Sequence, residues 1–356
     1  MLRSYLRRLT LAVLAFCLFA CDDTGRSELD LGLTQPPNIL LIVADDLGYT
    51  DLGAFGGEIN TPNLDQLALD GLRLTNFHTA PSCAPTRAML LTGTDNHLAG
   101  MGSQGSLTTE LQSSSRAYLN RLLPEVPTVT EHLAALGYRN LASAKWHLGH
   151  AQESLPNRRG FHRSLVLLDG GGGHFDDTPI FEHYGKANWL EDDQPIGLPE
   201  QFYSSDFMTD RLISYIDETP LEQPYFAYLG YTAPHWPLQA PPQAIAAYES
   251  SYHEGWDALR ARRMQGAIAA GVVPEDAVAV DFEAGMTAWT ELSAEQKRIE
   301  TRKMQVYAAM VSRLDDNVGR LLSALEERGD LENTVILFIA DNGAEAHTME
   351  LYQANV

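Results

Sequence analysis

The sequence predicts an α/β fold in which a large, mainly parallel mixed sheet is sandwiched between helices. Three observations carry that prediction. Two apolar, β-branched runs, "NILLIVADD" (Asn38 to Asp46) and "TVILFIADN" (Thr334 to Asn342), stand far apart in the chain and read as strands buried on both faces. Between them, amphipathic stretches with helix start and stop signals alternate with further strand-like runs, the pattern of a parallel sheet with crossover helices. The 356 residues, 44% of them hydrophobic, suffice for a sizeable core.

In chain order, the first element is an export signal. Arg3, Arg7 and Arg8 precede the apolar run "LTLAVLAFCLFA", which is too short for a good membrane span. "LFAC" resembles a bacterial lipobox, so residues 1–20 are expected to be a signal peptide of the lipoprotein type. Cys21 would then be acylated as the first mature residue, and ordinary cleavage is the alternative. The expected location is the bacterial cell envelope or periplasm, with the protein held on a membrane through Cys21. Residues 21–36, polar and rich in Gly, Thr and Pro, read as a flexible tether, and residues 37–356 as one domain.

After the Asn38 run, "TPNLDQLALDG" has Thr61 as N-cap, Pro62 at the first helical position and Gly71 as stop. "TVTEHLAALGY" carries a capping box from Thr128 to Glu131 and ends at Gly137. "DGGGGHF" (Asp169 to Phe175) reads as a mobile loop, and "YFAYLGY" (Tyr225 to Tyr231) as another buried strand. The stretch Ser250 to Glu291 has weak periodicity and is expected to run over the surface or the mouth of the site. A long amphipathic helix then starts at a Ser293–Gln296 capping box and runs to Gly329.

Charge and cysteine content narrow the function. With 25 basic against 47 acidic residues, the net charge of −22 argues against nucleic acid as a partner, although local cations or a metal can still hold an anionic substrate. Of the three cysteines, Cys17 lies in the signal and Cys21 at its end, which leaves Cys83 and no intramolecular disulfide.

In open α/β sheets ligands gather at the carboxyl ends of strands. Asp45, Asp46, Asp341 and Asn342 all fall at such ends. If the two strands are neighbours, three carboxylates and an amide oxygen converge and require a hard divalent cation, Ca2+ or Mg2+. Arg87 follows Cys83 by four residues, on the same face of a helix whose N-terminus favours anions. A soft thiolate matches an oxygen-lined metal site poorly, and an oxygen nucleophile at position 83 would resolve the conflict.

"CAPTRAMLLTG" resembles the Cys-x-Pro-x-Arg signature of the sulfatases, in the alkaline phosphatase superfamily. The resemblance extends, in the family's order, through "ADD" at Asp45 and Asp46, "KWHLG" at Lys145 to Gly149, "APHWPLQAP" at Ala233 to Pro241, and "DNG" at Asp341 to Gly343. Bacterial arylsulfatases are the most similar members. The resemblance implies hydrolysis of sulfate esters through a formylglycine that a dedicated maturation enzyme makes from Cys83. It also implies Ca2+ (or Mg2+) held by Asp45, Asp46, Asp341, Asn342 and the modified Cys83, with Arg87 and His147 on the nucleophile. Lys145 and His235 would contact the small-molecule sulfate ester, His235 also as proton donor to the leaving oxygen. The family's chain continues past "DNG" with a second lysine and a small antiparallel subdomain. This sequence is therefore expected to be C-terminally truncated, without that subdomain. Two alternatives accompany this reading: a phosphonate monoester or phosphodiester hydrolase of the same superfamily, and an inactive truncated envelope protein.

Overall fold

The computed structural model describes residues 36–181, 184–279 and 287–345. Residues 1–35 of the expected signal and tether and the segment after Glu345 lie outside the described residues, as does part of the Ser250 to Glu291 stretch. Among the described residues seven strands form one sheet: β1 (Asn38–Asp45), β2 (Arg139–Lys145), β3 (Arg163–Leu167), β4 (Trp189–Glu191), β5 (Gln194–Pro195), β6 (Tyr225–Pro234) and β7 (Thr334–Ala340). Their spatial order is β5-β4-β3-β2-β6-β1-β7, parallel throughout except at β4 and β5. β1 therefore lies between β6 and β7, and Ala44 stands opposite Ala340, so the two acidic strand ends are adjacent.

The six principal helices are α1 (Pro62–Asp70), α2 (Cys83–Thr92), α3 (Val129–Ala135), α4 (Ser204–Asp217), α5 (Gly255–Ala269) and α6 (Ala294–Arg328). Alternate residues of β1 feed two cores. Leu40, Ile42 and Ala44 pack with α4 and α6, whereas Leu41 and Val43 pack with Ala84, Ala88 and Leu91 of α2. Every residue of β6 is buried, which accounts for its unbroken apolar run.

The capping boxes at Thr128 and Ser293 form as expected, and Gly329 ends α6 in the left-handed conformation at φ 82°. Two expectations need correction. Thr61 stands at the N-cap position of α1 but makes no capping bond; its hydroxyl instead joins Asp65 and the amide of Gly53. β7 is not buried on both faces: among the described residues it stands at the sheet edge, and Val335 and Leu337 remain 47% and 45% exposed on the side that carries α2. The Ser250 to Glu291 stretch contains α5, whose Gly266 lies directly against the backbone of Gly56. No helix among the described residues is long and apolar enough to cross a membrane.

Candidate active site

Four strand ends and one helix start meet at a single point. β1 delivers Asp45 and Asp46, β7 delivers Asp341 and Asn342, β2 delivers Lys145 and His147, β6 leads into His235, and α2 begins at Cys83. The Asp341 amide donates to Ala44 O at 3.1 Å, and the Asp46 amide donates to Asp341 Oδ1 at 3.2 Å. Asp46 and His147 hold left-handed backbone angles, φ 65° and 54°, at the points where their chains leave the sheet. Such conformations cost about 1–3 kcal/mol each and persist where surrounding contacts over-determine them.

Cys83 is not in an open polar loop; it is the first residue of α2 and is 2% exposed. Three nitrogens surround its Sγ: Gln104 Nε2 at 3.1 Å, His147 Nδ1 at 3.3 Å and Lys145 Nζ at 3.5 Å. Burial pushes the thiol up to about 12; Lys145 works against this, while Asp45, Asp341 and Asp46 add to it. A cysteine in this place stays a neutral thiol and is a poor nucleophile.

Arg87 is fully buried and engaged by carboxylates. Its Nε donates to Asp341 Oδ2 at 2.8 Å, its Nη1 to Lys145 O at 2.7 Å and to Tyr228 Oη at 3.2 Å, and its Nη2 lies 3.6 Å from Asp45 Oδ1. Lys145 Nζ sits 2.5 Å from Asp45 Oδ2. Burial disfavours both cations, yet the neighbouring anionic groups keep them charged. Burial, then the Lys145 and Arg87 charges, holds His147 well below its usual range and therefore neutral. Burial lifts Asp341 to about 6, with Asp45 adding to the rise and Arg87 and Lys145 opposing it.

His235 Nδ1 donates to the Trp236 carbonyl at 2.5 Å, which fixes the tautomer and leaves Nε2, 3.4 Å from Asp46 Oδ2, facing the site. His174, which the sulfatase-like motifs do not include, is buried here: its Nε2 donates to His235 O at 3.0 Å and its Nδ1 meets Ser204 Oγ at 2.7 Å. His97 is exposed and pairs with Asp95.

The "DGGGGHF" segment is not a free loop. Gly171 to His174 are buried, and a Cβ at Gly170 would stand 2.7 Å from the His147 ring, one at Gly171 3.4 Å from His235 Cε1. Asp169 takes His150 at 3.3 Å. The glycines let backbone approach two imidazoles directly, a use that the run of small residues signals without naming its target.

The donor set fits a divalent cation. Asp45 Oδ1, Asp46 Oδ2 and Asn342 Oδ1 are buried without a hydrogen-bond donor, and ligand atoms of Asp45, Cys83 and Asp341 lie within 4.8 Å of one another. Three buried carboxylates face two buried cations, Arg87 and Lys145, which leaves an anionic excess that a hard dication would reverse. A cavity of about 720 Å³ opens beside Asp46, Cys83, His147, His235 and Asn342, and Phe181, Tyr184 and Trp236 also line it.

A mainly parallel sheet with this acid-lined junction at its strand ends defines a member of the alkaline phosphatase superfamily. Within it, the chain belongs to the sulfatase family, whose family model matches residues 37–355. It is 42% identical to an uncharacterized sulfatase of Schizosaccharomyces pombe, over 89% of this chain and 59% of that protein. It is 38% identical to an arylsulfatase of Klebsiella aerogenes, over 87% of this chain and 67% of that one. The chain thus spans about three fifths to two thirds of the length of these two relatives. Among solved structures, Ps i-CgsB in complex with k-i-k-neocarrahexaose superposes at a TM-score of 0.63 with 28% identity, over 87% of this chain and 59% of that one.

Proposed function

We propose that this chain carries the catalytic site of a sulfuric ester hydrolase of the arylsulfatase type, exported and anchored through an acylated Cys21. The observation that carries the reading is the enclosure of Cys83 Sγ by Lys145 and His147 beside three carboxylates, at the inner end of an aromatic-walled cavity. Family membership and the arylsulfatase relative support it.

Cys83 Sγ stands in for the oxygen of a formylglycine installed by a maturation enzyme. When present, the formylglycine supplies an oxygen nucleophile for covalent transfer, and a Ca2+ held by Asp45, Asp46, Asp341 and Asn342 supplies positive charge for it and for the sulfate. His147, neutral and 3.3 Å away through Nδ1, is placed to accept a proton from a hydroxyl at position 83. Lys145, fixed by Asp45, points its ammonium at the same atom and would meet a sulfuryl oxygen bound next to it. Arg87 donates to Asp341, the Lys145 carbonyl and Tyr228, and would act on the nucleophile through those neighbours and through its buried charge. His235 presents Nε2 towards the cavity, where it would give a proton to the leaving oxygen.

The experiment is aryl sulfate hydrolysis by the protein coexpressed with a formylglycine-generating enzyme and supplied with Ca2+. Cys83→Ala should abolish turnover with the fold intact; activity retained in that variant removes the formylglycine mechanism. Faster hydrolysis of an aryl phosphonate monoester than of the sulfate would move the protein to the phosphonate hydrolases. Radiolabelled palmitate incorporated into wild type but not into Cys21→Ala would support the lipid anchor.

A further inference from the structure

Gln104 belongs to none of the motifs, yet its carboxamide is the nearest of the three nitrogen groups around Cys83 Sγ, at 3.1 Å. It comes from the loop between α2 and α3, on the cavity side of the sulfur, and lines the cavity with His147 and His235. The loop is pinned. Gln104 O accepts from the Leu107 amide at 2.9 Å and from Thr108 Oγ1 at 3.2 Å, Thr108 Oγ1 also reaches Asn120 Oδ1 at 3.1 Å, and the Gly102 amide donates to Ala117 O at 2.7 Å. Lys145 and Arg87 are both tied to carboxylates, whereas among the described residues the Gln104 amide bonds only to Cys83. A primary amide carries two N–H donors on one nitrogen, so one can serve the atom at position 83 while the other serves a neighbouring oxygen.

From this placement we infer that Gln104 is a further catalytic residue, a neutral donor that bonds both the nucleophile position and one oxygen of the group being transferred. The inference rests on the sulfatase reading above. Its physical content is that a fixed N–H dipole inside the cavity stabilises charge developing on the sulfuryl oxygens without adding a second titrating group.

The test uses Gln104→Leu, which keeps bulk and removes both donors, and Gln104→Glu, which keeps shape and reverses the polarity. Conversion of Cys83 is confirmed by mass spectrometry, and folding by the melting temperature. Two quantities are read: kcat for an aryl sulfate, and the calorimetric affinity for inorganic sulfate in the presence of Ca2+. Both variants should lose roughly 100-fold in kcat, as when one oxyanion donor is removed, and about tenfold in sulfate affinity. Folded, converted variants with wild-type kcat and wild-type sulfate affinity overturn the inference and leave the sulfatase reading standing. A fully converted wild type that turns over no sulfate ester defeats that reading instead, and the sulfate titration then decides Gln104 by itself: equal affinity in wild type and Gln104→Leu counts against it. Should Gln104→Leu fail to fold, Gln104→Glu supplies the same comparison.

Discussion

Asn342 Nδ2 donates to Asp46 Oδ1 at 2.5 Å, a side-chain bond between residues 296 apart in sequence that closes the junction of β1 and β7. The Asn342 oxygen and the second Asp46 oxygen, both acceptors, stay buried without a donor. A cation bound there should tie the two strands together.

Ca2+ should therefore stabilise the fold. At a free concentration 100 times the dissociation constant, the gain is about 2.7 kcal/mol. Thermal melts in excess chelator and in millimolar Ca2+ measure it; superimposable melts would show that the acidic junction binds no dication.

Asp341→Asn should lower Ca2+ affinity. In the apo protein it removes the carboxylate that Arg87 meets at 2.8 Å and leaves Arg87 and Lys145 facing only Asp45 and Asp46, but it also relieves the burial and Asp45 repulsion that lift Asp341 to about 6. The two effects oppose, and the apo fold should change by no more than about 1–2 kcal/mol. Urea unfolding in chelator reads the apo term, and calorimetry reads the metal term. A large fall in the urea midpoint would show that Arg87 depends on the Asp341 carboxylate.

Gly170→Ala should push the His147 ring off its position, since the new Cβ would stand 2.7 Å from Cε1 and Nε2. We expect about 1–3 kcal/mol of destabilisation from overpacking and a fall in kcat larger than any change in KM. Gly197→Ala, where no heavy atom lies within 4 Å of the added methyl, is the control and should be close to neutral in both measurements.

The Glu58 carboxyl is pulled below its ordinary value of 4.5: burial alone would raise it, but Arg263 donates to both its oxygens at 2.8 Å and Tyr252 adds a third bond at 2.9 Å. A carboxylate with a depressed folded pKa contributes stability that is full above its unfolded value and is lost as pH falls through the folded one. Glu58→Gln should cost about 1–2 kcal/mol at pH 7, and the difference from wild type should shrink below pH 4.5. Urea midpoints from pH 7 to pH 3 test this; a gap independent of pH would assign the loss to packing.

Much of the architecture was legible because it is written in local signals. The capping boxes at Thr128 and Ser293 are short-range hydrogen-bond patterns, and the β1 and β6 runs show no apolar–polar alternation because both faces are covered. The edge position of β7 was not legible, since its run is as apolar as that of β1 and only sheet order separates them. The glycines of "DGGGGHF" were visible, but their purpose depends on two imidazoles delivered by other strands. Gln104 and His174 carried no signal at all, because a glutamine in a loop and a histidine after glycines acquire meaning only from what stands opposite them.

Residue type and near spacing were enough to establish the elements, the acidic strand ends and the place of Cys83 in a sulfatase-like signature. Folding in three dimensions was needed to turn Arg87 to Asp341 and Lys145 and His147 to Cys83, to press Gly170 on His147, and to bring Gln104 to the sulfur. Those contacts join segments tens to hundreds of residues apart, and burial fixes which charge faces which.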